Sequence, residues 1–503
     1  MAHRPTIRAA NGVVASGHHL ATAAGIEALR SGGTAVDAAV AAAAVCAVVL
    51  PQSTSVGGDL FALVHDAGRR EVLAYNGSGA APSATGPASF ANGYPRAGPS
   101  LATVPGCVAA WADLLEEHGR LGLDRALAPA IAYAEEGFPV SGGLSSAIAA
   151  RADELARDDE CARIFMPRGH LPRPGEILQQ PDLAATLRAI AREGADGFYR
   201  GSVAERLAEG IAAGGGTMAV ADLAAHRTDR PAPIAIDYRG LRVHGQPPVS
   251  QGHILIEELA IAEGFDLRTM GWGSAETVHL MVEATKLAFA DRDGHAGDPR
   301  VVDFDARRLF DPSFVAARRR AIGARAAERV EAGGLAAGAH TTYLAVADRD
   351  GNVVSLIESV FSAFGAGTIV PGTGVLLNDR LRGSSLDPRS PNAIAAGKRP
   401  VHTLNTVLVT SGSIPRLVFG TPGRHAQVQT NFQLAVALID HEMDVQEAIE
   451  QPRWFHESGR TLKMEARYPE QVRRALASKG HEIELLPEWD AVTGGAQAIA
   501  IDG

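Results

Sequence analysis

Two periods of hydrophobic and polar residues take turns along this chain. LATAAGIEALRSGG (20–33) carries its apolar positions at helical spacing and closes on Gly32-Gly33; Thr34 then stands where a second helix needs an N-cap. That second run, AVDAAVAAAAVCAVVL (35–50), contains Asp37 and is too short and alanine-rich to span a bilayer, so it reads as a buried helix. Beyond Pro51 the period shortens: GGDLFALVHD (57–66) reads as a strand behind a glycine turn, with REVLAYNGSG (70–79) as its hairpin partner. Helical spacing returns in DLLEEHGRLGL (113–123), SVAERLAEGIAAGGG (202–216) and ETVHLMVEATKLAFADR (276–292), interrupted by a strand-rich PIAIDYRGLRVHGQPP (233–248). After 341 strands dominate, in TGVLLN, TLNTVLVT and PRLVFG, before the helices AQVQTNFQLAVALID and EAIEQPR. The pattern predicts sheets whose outer faces are covered by helices.

One hairpin is oddly placed. Thr341 to Ala347 favours a strand, Asp348-Arg349-Asp350-Gly351-Asn352 supplies a turn, and Val353 to Ile357 returns. It follows directly on a loose stretch, EAGGLAAGAH (331–340). Either a linker ends and a sheet begins there, or the chain is cut and a threonine becomes a new amino terminus. The hairpin reads as the centre of the fold.

Composition narrows the function classes. The 503 residues are 46% hydrophobic and 21% charged, with a net charge of −10, which disfavours non-specific nucleic-acid binding. The triplet Arg318-Arg319-Arg320 reads as a solvated helix face. Cys46, Cys107 and Cys161 are odd in number and unsuited by spacing to a metal or redox pair, which fits a reducing compartment. The first residues show no apolar h-region, so no signal peptide and a cytoplasmic location are expected. DRDGHAGDP (291–299) fails as a calcium loop because its glycine and terminal acid are misplaced.

Collinear stretches from about residue 11 onward resemble the γ-glutamyltransferase (glutathione hydrolase) family of N-terminal-nucleophile hydrolases. They are PQSTSVGGDLFALVHD, TVPGCVAAW, GADGFYRGSVAERLAEGI, AFADRDGHAGDP, HTTYLAVADRDGNVVS, FGAGTIVPGTGVLLND, KRPVHTLN and GTPGRHAQ. The resemblance implies an α+β fold, a four-layer αββα sandwich made as one precursor. It would be cleaved between His340 and Thr341 into a large chain (1–340) and a small chain (341–503) that stay associated, with a higher oligomer possible. It implies a small-molecule amide as partner; no cofactor, no metal and no membrane are expected. A hydroxyl is a poor nucleophile without an adjacent base, and a freed α-amine titrating near ~7.7–8.0 supplies one on the same residue. Thr341 matches the nucleophile. Ser359 falls where the family has a threonine that assists processing, and Gly423 begins the oxyanion pair, whose second glycine is here Arg424. If that position needs a positive φ, arginine is strained there.

The recognition residues depart from the family. Ser78 replaces an arginine that holds the γ-glutamyl carboxylate, and His402 and Thr403 replace two serines. Phe361, Arg380 and Gly383 replace the three partners of the α-ammonium. An ammonium facing Arg380 would be repelled, so a small amide with a carboxylate and no ammonium suits the site better, its anion paired by Arg380 or Arg424. NDRLRGSSLDPRSPNAIAAGKRPVHTLN (378–405) is also similar to the oxamate amidohydrolase branch. The competing readings are a γ-glutamyl hydrolase or transpeptidase with rearranged recognition, and an uncut, non-catalytic ligand-binding descendant. For Arg380 and Arg382 the alternative is a surface salt bridge, and for Phe361 a place in the core.

Overall fold

In the computed structural model, residues 3–328 and 341–502 are described. Ten strands form two five-stranded antiparallel sheets. The first contains β1 (Gly12–Ser16), β2 (Asp59–Asp66), β3 (Glu71–Gly77), β6 (Thr342–Asp348) and β7 (Val353–Ser359), in the order β1-β6-β7-β2-β3. The second contains β4 (Ile234–Tyr238), β5 (Leu241–Gly245), β8 (Val407–Ser411), β9 (Ile414–Gly420) and β10 (Gln497–Ala500), in the order β10-β9-β8-β5-β4. The sheets face one another across an apolar layer that includes Phe61, Leu63, Tyr343, Ala345, Leu408 and Val418.

Helices cover both outer faces. On the first sheet lie α1 (His19–Arg30), α2 (Ala35–Val49), α3 (Cys107–His118) and α4 (Gly122–Glu136). All fifteen residues of α2 are buried, because other helices cover the side turned away from the sheet; its alanines keep the cylinder thin enough to fit. Its start is fixed as the sequence predicts, by a reciprocal capping box between Thr34 and Asp37. On the second sheet lie α5 (Gly252–Ala262), α6 (Ala275–His295) and α7 (Ala426–Ala435). The result is a four-layer αββα sandwich, and the hairpin β6–β7 sits inside its first sheet with neighbours on both sides.

Local differences from the sequence reading have physical causes. The segment 113–123 is not one helix: α3 stops at His118, Gly119 caps it in an extended conformation, and α4 begins at Gly122. TGVLLN forms only a two-residue strand, Val375–Leu376. Arg318 and Arg319 are not freely solvated. The first pairs with Asp291 and the second donates to the carbonyls of Ala260 and Ile261, so the basic face is pinned to α5 and α6. No helix among the described residues is long and apolar enough to cross a membrane.

Candidate active site

Thr341 lies immediately before β6 and is buried. Its Oγ1 donates to Ser359 Oγ at 3.2 Å, and Ser359 Oγ in turn accepts the Phe361 N–H at 2.9 Å. Strand register creates this meeting. Thr342 pairs with Glu358 across the hairpin, so the residues one step beyond, Thr341 and Ser359, come together at the open end of the sheet. Ser359 also pairs with Asp59 on its other side. The turn before Asp59 must pass very close: a Cβ on Gly58 would lie 2.6 Å from the Ser359 carbonyl oxygen, which is why a glycine is needed there. Of the two adjacent threonines, Thr342 turns the other way, into the helical layer, with its hydroxyl 4.0 Å from Cys46 Sγ. His340, the other half of the expected cleavage site, lies outside the described residues.

The loop Thr421–His425 joins β9 to α7. Gly423 has φ +131° and Arg424 φ +53°, so the arginine does occupy a left-handed conformation, a cost of ~1–2 kcal/mol for an L-residue. Its surroundings hold it there. The Arg424 carbonyl accepts from Gln251 Nε2 and from the Gln427 N–H, both at 3.0 Å, while its Nη2 donates to Ser362 Oγ at 3.1 Å. Gln251 Nε2 also donates to the Thr403 carbonyl, so one buried amide ties the two walls of the site. The Gly495 N–H donates to Thr421 Oγ1 at 3.0 Å and braces the loop from behind.

Beside this loop is a cavity of about 210 Å³, walled by Phe361, His402, Thr403, Arg424, His425 and Arg292, among others. Phe361, at φ +79°, is clasped between two guanidinium groups: Arg380 Cζ is 4.6 Å from its ring centre and Arg424 Cζ 4.7 Å. Arg380 does not reach the cavity wall. It is wholly buried behind the ring, and its Nε donates to Asp59 Oδ2 at 2.9 Å, so it is an internal ion pair and not a surface one. Burial pushes the Asp59 carboxyl up, against the pull of Arg380, and pushes the Arg380 guanidinium down. Arg424 is lowered to about 10 by burial, with Asp379 opposing, and so stays cationic at neutral pH. His402 is fully buried, and neither ring nitrogen has a hydrogen-bond partner among the described residues. Burial, together with Arg380 and Arg399, holds it far below the usual histidine range, so it is neutral. Gly383 and Thr403 line the cavity; Arg382 pairs with Asp379 and donates to the carbonyls of Pro95 and Arg96. Ser78 is buried and donates to Asn76 Oδ1 at 2.5 Å, inside its own loop.

The structure therefore brings together Thr341 with Ser359, and Gly423–Arg424 with His402 and Thr403. Sequence reasoning missed Asp59, Gln251 and Arg292. Asp59 stands in SVGGD, where the glycines draw the eye and the acid does not. A buried glutamine in PPVSQGH has no periodic signal, because its partners are carbonyls far along the chain. Arg292 closes the cavity by donating from Nη1 to His425 Nδ1 at 3.0 Å. Burial and the two neighbouring arginines, Arg292 and Arg424, hold that histidine neutral.

This chain matches the family described as gamma-glutamyltranspeptidase over residues 21–503. It is 37% identical over 500 residues to a glutathione hydrolase-like YwrD proenzyme of Bacillus subtilis, covering 97% of this chain and 94% of that protein. It is 37% identical over 502 residues to an oxamate amidohydrolase proenzyme of Klebsiella pneumoniae, with the same coverage. Among solved structures, a cephalosporin acylase from Bacillus halodurans superposes with a TM-score of 0.93 at 37% identity, covering 99% of this chain and 94% of that one.

Proposed function

The chain belongs to the gamma-glutamyltranspeptidase family of N-terminal-nucleophile hydrolases, and from that premise we propose that it hydrolyses a small amide bearing a carboxylate and no neighbouring ammonium. The observation that carries this reading is the phenyl ring of Phe361 clasped by two guanidinium groups, where the family's ammonium partners stand. Arg424, the one of the two that lines the cavity, repels a cation there. Arg424 faces the cavity with its charge intact and is the anion partner; Arg380, tied to Asp59, keeps the ring in place.

In this reading Thr341 Oγ1, oriented by Ser359, attacks the carbonyl of His340; the His340–Thr341 C–N bond breaks, its nitrogen leaving as the α-amine while the acyl group passes to Oγ1 as an ester, which water then hydrolyses. The chain opens into residues 1–340 and 341–503, which remain joined by the central hairpin's pairing on both sides. The freed α-amine then serves as base. Thr341 attacks the substrate amide, the backbone N–H groups of Gly423 and Arg424 receive the oxyanion, the amine leaves, and water releases the acid. A glycine-like N–H persists in arginine, so the replacement of the second glycine costs strain and not the donor. His402, being neutral, and Thr403 offer uncharged hydrogen bonds to the acyl group.

Oxamate is the smallest substrate of this kind, and the similarity to an oxamate amidohydrolase supports it. A second reading, an amide of a longer dicarboxylic acid, is favoured by the cavity, which is larger than oxamate needs, and by the similarity to a cephalosporin acylase. Ammonia release from oxamate, and p-nitroaniline release from the glutaryl and γ-glutamyl anilides, should be compared by kcat/KM. Preference for oxamate or the glutaryl compound is expected, and which of the two wins separates the readings. A preference of about tenfold for the γ-glutamyl compound, some 1.4 kcal/mol, overturns both in favour of a γ-glutamyl hydrolase or transpeptidase. An uncleaved single band on a denaturing gel would instead point to a non-catalytic binding protein.

A further inference from the structure

Far from this cavity, at the outer face of the second sheet, three metal-ligating side chains converge. His279 and Glu283 are one helical turn apart on α6 and project from the same face. His481 enters the strand Glu482–Leu486, which comes from beyond Thr341. Among the described residues this is the one group of three in which all ligand atoms lie within 4.8 Å of one another, and all three are buried.

The hydrogen bonds around the group fix its chemistry. His279 Nε2 is 2.9 Å from the Gly323 carbonyl oxygen, which can only accept, so that nitrogen carries the proton. His279 Nδ1 is then bare, and its lone pair faces His481 Nε2 at 2.8 Å. A ring N–H given to a backbone carbonyl is the outer-shell contact that orients metal-binding histidines and sets their tautomer. Glu283 is oriented too: its Oε2 accepts the Ala327 N–H at 3.1 Å. Its Oε1 accepts from Lys286 Nζ at 2.7 Å, and that buried ammonium also donates to the Ala327 carbonyl. A positive charge is thus already seated against the cluster.

We propose that His279, Glu283 and His481 form a binding site for a zinc-like divalent cation, in which Lys286 is the competing cation. Two imidazoles and one carboxylate, with a fourth position for water, suit zinc better than calcium or magnesium, which prefer all-oxygen shells. Tetrahedral bonds of about 2.0–2.1 Å set the two nitrogens about 3.3 Å apart, so the rings need to part by only about half an ångström. The ion would bind two histidines lying on opposite sides of Thr341 in the sequence, and through their outer-shell bonds it would hold residues 323–327 against the rest of the molecule. Its role is structural and distant from the chemistry.

The test uses full-length protein treated with a chelator, then titrated with Zn2+ or Co2+ alone. Wild type is expected to retain one zinc per chain after desalting, and to give with Co2+ the intense visible bands of a tetrahedral site. Its melting temperature should rise with zinc. His279→Ala and His481→Ala should lose the bands and the thermal shift. Because those variants remove a buried hydrogen bond and can fail to fold, Lys286→Met provides the independent arm: without its competitor, the site should bind zinc about tenfold tighter or better. Retention far below one equivalent by both wild type and Lys286→Met overturns the proposal. Equal retention by wild type and the two alanine variants also overturns it, by placing the zinc on surface histidines.

Discussion

The Thr341 end of the first sheet and the wall of the cavity lie side by side, yet they are built on different principles. At Thr341, backbone pairing does the positioning: the β6–β7 register delivers Thr341 to Ser359, and the glycine turn before Asp59 lets a third strand close against them. At the wall, side chains do it: Asp59 fixes Arg380, Arg380 and Arg424 fix Phe361, and Gln251 fixes Arg424. Backbone geometry tolerates a change of side chain, such as serine for threonine at 359, and still brings a hydroxyl to Thr341. A wall made of mutually dependent side chains changes as a unit. The lesson is that the Thr341 end and the cavity wall can change independently of each other.

The hardest way to break the comparison is at Thr341, the proposed nucleophile. Thr341→Ala should abolish cleavage and leave no measurable turnover, read as one band and a flat assay trace; residual processing at another residue would remove Thr341 from its role. Next is the internal ion pair. Arg380→Gln strands the Asp59 carboxylate in the interior and should cost about 3–5 kcal/mol of stability by urea unfolding. Adding Asp59→Asn should restore much of that. A large rise in KM with unchanged stability would show instead that Arg380 meets the substrate.

Glu358 tests the Thr341 end from beneath. It is buried opposite Thr342, Cys107 Sγ lies 3.4 Å from its carboxyl, and burial pushes it up to about 8. A carboxyl raised in the folded state contributes stability fully below its unfolded value, near 4.5, and loses that contribution as pH rises through about 8. Glu358→Gln should flatten the loss, with a difference from wild type on the order of 3 kcal/mol between about pH 5 and pH 8. Identical pH slopes would mean that the carboxyl ionises in place.

Arg424 then separates backbone from side chain within one residue. Arg424→Gly keeps the N–H and relieves the left-handed strain, so autocleavage and kcat should survive. Loss of the charged contact, about 1.5–3 kcal/mol, should raise KM roughly ten- to hundred-fold. An unchanged KM would leave the anion without its partner. The smallest effect belongs to Ser359→Thr, which restores the family's residue: processing and turnover should change by less than about threefold, some 0.6 kcal/mol. A large loss there would mean that the hydroxyl's position depends on more than strand register.

The sequence by itself determined the alternation of helix and strand, the capped buried helix at 35–49 and the central hairpin. These are local: period, turn chemistry and a capping box act within a few residues and leave their marks in order along the chain. The edge strands Gly12–Ser16 and Gln497–Ala500 escaped, being short and defined only by the partner each pairs with. Likewise, only the tertiary structure decided that Thr341 and not Thr342 faces Ser359, since that follows from which side of the sheet the helices cover. It also decided that Arg380 is an internal brace while Arg424 faces the cavity. Both are arginines whose guanidinium groups lie over the ring of Phe361. What divides them is a carboxylate from β2, brought within 2.9 Å of one by the packing of strands hundreds of residues apart.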